Sequence, residues 1–87
     1  MEELVTEIAK MLVDHPEDIQ VKAVVSTNHT IFELRAHPHD VGKLIGREGR
    51  TINAIRSLLI AAGARRNRRF SVTVIDKDDS AAAVSAD

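Results

Sequence analysis

Two glycines three residues apart are the most distinctive feature of this sequence. Gly46 and Gly49 enclose Arg47 and Glu48, and Arg50 follows directly. Because glycine has no Cβ atom, such a segment adopts positive φ angles and lets the backbone approach a ligand closely. Arginine side chains neutralise phosphates and position a protein on a nucleic-acid backbone. The residue types and their spacing predict a phosphate-binding loop, although a Gly-x-x-Gly pair is also typical of an ordinary turn.

The surroundings of the glycine pair decide between these two interpretations. The second glycine precedes an amphipathic helix, and the first turn of a helix offers unpaired N–H groups and a positive dipole end to phosphate. Gly42, Gly46 and Gly49 do not have the spacing of the dinucleotide-binding loop G-x-G-x-x-G. A P-loop is also excluded, because Gly42-Lys43 lacks the earlier glycine and the following Ser or Thr.

The charges of the chain are distributed very unevenly. Residues 35–69 contain nine basic and two acidic residues, a net charge of +7, whereas the rest contains three basic and eleven acidic residues, a net charge of −8. Such an uneven distribution within one small domain favours a basic surface that binds a polyanion. The alternative is that the charged side chains only solvate the surface, and composition does not exclude it.

Hydrophobic periodicity predicts three helices and three strands around the loop. The predicted helices span residues 3–13, 40–45 and 52–62, and the predicted strands span 19–25, 32–36 and 70–74. Asp40 is placed to cap the second helix, Gly63 to end the third, and residues 26–29 to turn the first two strands into a hairpin. This order predicts an α+β fold with a three-stranded mixed sheet and three helices on one face.

Length and composition predict one small soluble domain. The chain has 87 residues and no cysteine, so a disulfide framework is excluded and a reducing compartment is favoured. Its longest uncharged stretch, residues 57–64, is far shorter than a membrane span. We therefore expect a cytoplasmic protein without membrane association, with a single domain in residues 1–75 and a flexible acidic and alanine-rich tail in residues 76–87.

The segment VGKLIGREGRTINAIRSLL, residues 41–59, resembles the KH-domain signature, in which an aliphatic residue, Gly-x-x-Gly and a further isoleucine follow one another. The chain length, the order of elements and the Gly-Arg-Thr-Ile run are similar to those of the bacterial single-KH family called KhpA, which has the type II KH arrangement. This resemblance extends over residues 3–75. It implies that single-stranded RNA binds in a cleft between the short helix, the glycine loop, the long helix and the edge of strand two.

The resemblance also implies roles for particular residues. Gly46, Arg47, Glu48 and Gly49 match the loop, Ile45 and Ile52 match aliphatic groove walls, and Lys43 and Arg50 flank the phosphates, while Arg35 is placed to reach bases or sugars. Glu48 departs from the family pattern, since it puts a carboxylate beside the phosphate path. It either pairs with Arg47 or Arg50 or points away, and we expect modest, largely nonspecific affinity. The family further implies a larger KhpB-type KH-containing partner and, in some members, a homodimer.

Other functional classes find less support in the sequence. Spacing draws together no catalytic set of serine, histidine or carboxylate residues, so we expect no enzyme and no cofactor. His37 and His39 suggest a metal site, but His29 is the only other histidine nearby and the chain has no cysteine, so we expect no metal. Phe32 and Phe70 are expected in the core. Two questions stay open. Residues 65–69 either extend the phosphate path or only solubilise a loop. Ile60 either covers part of the core or marks an assembly contact, and in the second case the protein is a protein-interaction module.

Overall fold

The structure is a computed structural model that describes residues 1–78 and, as backbone only, residues 82–86. Its helices are α1 (Glu2–Leu12), α2 (Pro38–Ile45) and α3 (Arg50–Arg65), and its strands are β1 (Gln20–Val25), β2 (His29–Ala36), β3 (Arg69–Asp76) and β4 (Ala82–Ala86). Short 3₁₀ turns lie at Pro16–Asp18 and Arg47–Gly49. The predicted order of helices and strands is confirmed through β3.

The first helical residue of α2 is a proline, and this corrects the predicted start of the helix. Pro38 occupies the first turn, where the fixed φ of proline suits a helix and its missing N–H costs nothing. The cap is His37, whose side chain accepts a hydrogen bond from the backbone N–H of His39. Asp40, predicted as the cap, instead lies inside the helix, so its carboxylate does not cap α2 and can accept hydrogen bonds from another segment.

The sheet is mixed, as predicted, with the strand order β1-β2-β3-β4. β1 and β2 form the predicted antiparallel hairpin, and β2 and β3 run parallel because α2 and α3 cross between them. β4 pairs antiparallel with β3. This fourth strand was not predicted, since it lies in residues 76–87, which were assigned to a flexible tail. Residues 79–81 and 87 of that segment lie outside the described residues, and its flexibility stays a prediction.

The core lies between the three helices and one face of the sheet, as predicted. Buried side chains alternate along β2, whereas β3 is buried at every position from Phe70 to Ile75. The parallel register places Phe32 beside Val72 and Leu34 beside Val74. The helices contribute Val5, Ala9, Leu44, Ile52, Ile55 and Leu59 to the same cluster. The two phenylalanines, Phe32 and Phe70, meet edge to face with their centroids 5.5 Å apart. Their predicted place in the core is confirmed.

The buried strip on each long helix is narrower than the apolar pattern predicted. On α1 the buried residues are Val5 and Ala9, whereas Leu4 and Met11 are 47% and 77% exposed. On α3, Leu58 follows Ile55 at the three-residue spacing of the apolar pattern but is 58% exposed. A sheet of short strands covers only one narrow side of each helix, so apolar residues beside that strip stay in solvent.

Candidate nucleic-acid interface

The carboxylate of Asp40 fixes the start of α2 to the segment that follows α1. It is fully buried, and its oxygens accept hydrogen bonds from the backbone N–H groups of Asp14, at 3.3 Å, and His15, at 2.9 Å. The Nδ1 atom of His15 lies 3.0 Å from the same carboxylate. Burial opposes ionisation of Asp40, but the hydrogen bonds from the His15 side chain and the two backbone groups outweigh it and lower its pKa to about 2.

Lys43 belongs to the same polar cluster. Its ammonium group donates a hydrogen bond to the carboxylate of Asp14 and lies 3.5 Å from Oδ1 of Asp40. The hydrogen bond with Asp14 raises the pKa of Lys43 despite the opposing effect of its partial burial. The structure thus directs this charge toward the α1–β1 connection, where two carboxylates neutralise it. Lys43 is therefore engaged within the protein and not at the glycine loop.

Gly46 ends α2 in a conformation that only glycine adopts. Its φ and ψ are 77° and 173°, and its N–H donates to the carbonyl of Gly42 at 2.8 Å. A Cβ atom at this position would lie 2.3 Å from Oγ1 and 2.8 Å from the backbone nitrogen of Thr51. The first turn of α3 therefore packs directly against a backbone that has no room for a side chain.

The chain then makes a single 3₁₀ turn at Arg47–Gly49. Glu48 and Gly49 have φ angles of 57° and 76°, and the N–H of Gly49 donates to the carbonyl of Gly46 at 3.2 Å. Within the described part of the chain, the backbone N–H groups of Arg47 and Glu48 have no hydrogen-bond partner. These two donors are free to bind an anion or water.

The start of α3 is electrostatically open. No side chain caps it, and its first turn contains no acidic residue. The whole helix, from Arg50 to Arg65, contains no Asp or Glu. Arg47 and Arg50 are exposed on either side of the turn. The positive end of the helix dipole, the two free N–H groups and two exposed arginines thus belong to one short segment, and this combination suits phosphate.

A family model described as KhpA/KhpB, KH domain, matches residues 2–74. The chain belongs to this family of KH domains. It is similar to the RNA-binding protein KhpA of Chlamydia pneumoniae, with 44% identity over 77 residues that cover 88% of this chain and 99% of the relative. The corresponding protein of Clostridium perfringens is 45% identical over 86% of this chain and all of its own length. No solved structure matches significantly.

Three of the predicted RNA-binding residues lie away from the open surface of this KH domain. Ile52 is 1% exposed and belongs to the core, and Ile45 is half-buried against that core. Arg35 follows Leu34 and precedes Ala36, which both face the helices, so it lies on the opposite face of the sheet. β2 is paired on both sides and offers no edge, which corrects the predicted cleft. The loop, Arg47 and Arg50 are the predicted residues that the structure brings together.

Glu48 lies within this surface and keeps its charge exposed. Of the two alternatives for its carboxylate, pairing with Arg47 or Arg50 is not found, since no ion pair of Glu48 exists among the described residues. Its positive φ is uncommon for a residue with a Cβ atom. The loop therefore places the unpaired carboxylate of Glu48, in a strained backbone conformation, beside the unpaired guanidinium groups of Arg47 and Arg50.

The basic segment at residues 65–69 lies at the other end of α3 from the loop. Arg68 is half-buried there, and its guanidinium donates to Thr30 Oγ1 at 2.7 Å and to the carbonyl of Ser26 at 3.3 Å. It ties the α3–β3 connection to the β1–β2 turn. Arg65 and Arg66 are exposed. The segment thus contains both a structural arginine and solvent-facing ones.

Three of the four histidines contact one another, whereas His29 lies 3.0 Å from the hydroxyl of Ser71. The rings of His15 and His37 stack with centroids 4.1 Å apart, and His39 meets His37 edge-on at 4.9 Å. The described residues contain no group of three or more His, Cys, Asp or Glu side chains arranged to hold a metal. Among those residues there is likewise no helix long and apolar enough to cross a bilayer.

The polar cluster of Asp14, His15, Asp40 and Lys43 is what sequence reasoning missed. Its two halves, Asp14 with His15 and Asp40 with Lys43, are joined by hydrogen bonds that span 25 to 29 residues of the chain. No local pattern joins positions so far apart. The one available signal was an aspartate in the first turn of a short helix, which was interpreted as a cap. The cluster matters for the site because it fixes the helix that ends at Gly46.

Proposed function

We propose that the protein binds single-stranded RNA through the loop at Gly46–Gly49. The observation that carries this proposal is the pair of free N–H groups in a glycine-shaped turn at the uncapped, acid-free start of α3. A KH module grips about four backbone nucleotides through this type of loop. The relatives from Chlamydia and Clostridium carry the name RNA-binding protein, which supports the same activity in this chain.

In the proposed complex, a phosphate oxygen accepts hydrogen bonds from the N–H groups of Arg47 and Glu48. The guanidinium groups of Arg47 and Arg50 neutralise this phosphate and its neighbour, and the dipole of α3 adds to the attraction. These contacts read the RNA backbone and not its bases, so weak sequence preference is expected. Such a protein acts by holding RNA, as a chaperone or a post-transcriptional regulator does.

A pair of substitutions at Gly49 tests the proposal. Its left-handed conformation, with φ 76° and ψ 15°, is one that aspartate and asparagine also adopt, and a Cβ atom there would lie 3.4 Å from the side chain of Asn53. Gly49→Asp places a carboxylate at the phosphate site, whereas Gly49→Asn has nearly the same shape without the charge. Gly46 is unsuitable for this purpose, because any side chain there collides with Thr51.

The assay is fluorescence anisotropy of short single-stranded RNA over a range of salt concentrations, with circular dichroism to confirm folding. Wild type and Gly49→Asn should bind, with a slope of log affinity against log salt of roughly −1.4 to −2.8 for about two to four phosphates. Gly49→Asp should bind much more weakly. Equal binding by the Asp and Asn variants would contradict the role of the loop.

A second candidate function is assembly with another KH domain, and the exposed apolar residues of α3 favour it. Leu58 and Ile60 are 58% and 44% exposed on opposite flanks of the buried strip, and residues 57–64 carry no charge. Exposed apolar residues gain from being covered by a partner. We propose a homodimer or a complex with a KhpB-type protein in which Ile60 lies in the contact. Ile60→Asp should then lower the mass measured by light scattering, while short-RNA binding by the monomer persists.

A further inference from the structure

We propose that the basic segment at residues 65–69 is a second contact for the RNA backbone, distinct from the glycine loop. This inference rests on the proposed RNA binding and extends it to strands longer than the loop alone can hold. The segment contains four arginines in five residues. It lies at the C-terminal end of α3, whereas the loop lies at the N-terminal end, so the 16 residues of the helix separate the two by about 24 Å.

The segment has a defined shape before any ligand binds. The N–H groups of Arg66 and Arg68 both donate to the carbonyl of Gly63, at 3.0 and 2.9 Å, and Asn67 turns the chain with a φ of 54°. Arg68 is held by the β1–β2 turn through Ser26 and the Thr30 hydroxyl. Arg68 thus fixes the turn from which Arg65 and Arg66 extend into solvent. Because the turn is already ordered, binding of a polyanion would cost little backbone entropy.

The depression beside this turn is lined mainly by amide and guanidinium side chains, and no carboxylate of the described residues lines it. This open depression of about 440 Å³ is lined by Asn28, Ala64, Asn67, Arg68 and Arg69. Arg65 and Arg66 stand next to it, exposed and without an ion pair among the described residues. Amide and guanidinium groups of this kind are the usual partners of phosphate oxygens.

The acidic residues that lie near this turn, among those the structure describes, form no ion pair with its arginines. Glu2 and Glu3 line the neighbouring depression together with Arg66 and Arg68, but neither carboxylate is within ion-pair distance of a guanidinium group. Between the two basic ends, α3 itself contributes no acid. A strand that leaves the loop therefore meets no repulsive charge on this helix.

The distance between the loop and the basic segment sets the length of RNA that can contact both. At a rise of about 3.4 Å per nucleotide, 24 Å corresponds to roughly seven nucleotides, and fewer if the strand is extended. An oligonucleotide of about four residues should therefore reach the loop alone, and one of about twelve should reach both sites. The two contacts can be separated by RNA length.

The test compares oligouridylates of these two lengths against an Arg65→Gln, Arg66→Gln variant. For the longer RNA, loss of two phosphate contacts should reduce the slope of log affinity against log salt by about 1.4. Affinity for the shorter RNA should not change. A Lys10→Gln, Lys22→Gln variant removes the same charge from exposed positions on α1 and β1, and it should leave the slope for both RNAs intact. The Arg65→Lys, Arg66→Lys variant should restore the slope, because phosphate attraction needs charge.

Each remaining outcome decides against one proposal or the other. An unchanged slope for the longer RNA in the Arg65→Gln, Arg66→Gln variant overturns the second contact. So does an equal slope loss in the Lys10→Gln, Lys22→Gln control, which indicates a general charge effect. A polyglutamate peptide that displaces the longer RNA at equal molar concentration would instead assign the segment to an acidic protein. If Gly49→Asp leaves short-RNA binding intact while the arginine variant still weakens the longer RNA, the loop proposal fails and the second contact stands.

Discussion

Three glycines in and beside the loop should respond very differently to the same substitution by alanine. Gly42 lies in the middle of α2, Gly46 at its end, and Gly49 at the start of α3. In the sequence they look alike, spaced four and three residues apart. Their backbone angles and the space around them differ, and these differences predict both the sign and the size of each effect on stability.

Gly46→Ala should be the most destabilising of the three. Its angles of 77° and 173° lie in a region that is essentially restricted to glycine, and occupying it with another residue costs about 1–3 kcal/mol. The new methyl group would also lie 2.8 Å from both Cβ and the backbone nitrogen of Thr51, which cannot rotate away. Overpacking of this kind adds about 1–3 kcal/mol. We expect a total loss of about 3 kcal/mol or more in the free energy of unfolding.

The other two substitutions should have small effects of opposite sign. At Gly49 the left-handed conformation costs alanine about 1–2 kcal/mol, and reduced freedom of the unfolded chain returns about 0.4–1 kcal/mol. Gly49→Ala should therefore destabilise by about 1 kcal/mol or less. At Gly42 the backbone is helical, and a Cβ atom would have no neighbour within 4 Å outside its own helix. Gly42→Ala should stabilise by about 0.5–1 kcal/mol.

Urea and thermal unfolding of the three variants measure these values. For a domain of this size, 1 kcal/mol shifts Tm by about 4–8 °C, so Gly46→Ala should lose about 12 °C or more while Gly42→Ala gains a few degrees. The order of the three is the decisive result. Equal losses at Gly46 and Gly49, or a loss at Gly42, would refute the backbone conformation assigned to the loop.

Three further predictions concern charges in and behind the loop. Glu48→Lys should raise affinity for short RNA and steepen the salt dependence by about 0.7, because it replaces an unpaired acid with a phosphate contact; anisotropy titrations measure both. Lys43→Gln should change the salt slope less than Arg50→Gln, because the Lys43 ammonium is engaged by Asp14 and Asp40; an equal change would contradict this. The pKa of Asp40 is lowered from 3.8 to about 2, so its contribution to stability should be complete above about pH 4 and disappear toward pH 2, and urea unfolding of Asp40→Asn should lack this part of the acid sensitivity.

Most of the fold was predictable because its elements have regular hydrophobic periods. Alternation along β2 and β3 identified the strands and the buried phenylalanines, and the order of elements then limited the topology. β4 was not predictable in the same way. Its sequence, AAVSA, consists of small residues that show no clear hydrophobic alternation. The strand forms by pairing with the free edge of β3. Edge pairing depends on an available partner strand more than on local sequence.

The exposed leucine on α3 shows a second limit of periodicity. Leu58 and Leu59 are adjacent, and about 100° of helix rotation separates a residue that is 58% exposed from one that is 1% exposed. A sequence pattern that is wide enough to include both cannot tell which side the sheet covers. The breadth of the apolar pattern predicted a wider core, whereas Leu58 lies in solvent beside the buried strip. Such exposed apolar residues are the basis of the proposed assembly contact.

The loop itself was predicted correctly as a shape, but the source of its rigidity was not. Glycine at 46 and 49 follows from the need for positive φ, and the sequence is sufficient to infer it. The position of the loop depends on α2, which is short, and a helix of eight residues has little stability of its own. Asp40 supplies the missing constraint through bonds to His15, 25 residues away. The charges proposed to bind RNA and the charge that holds the loop in place are therefore on different residues. Only the structure distinguishes Lys43, which is engaged by Asp14 and Asp40, from Arg50, which is exposed and available for the proposed contact.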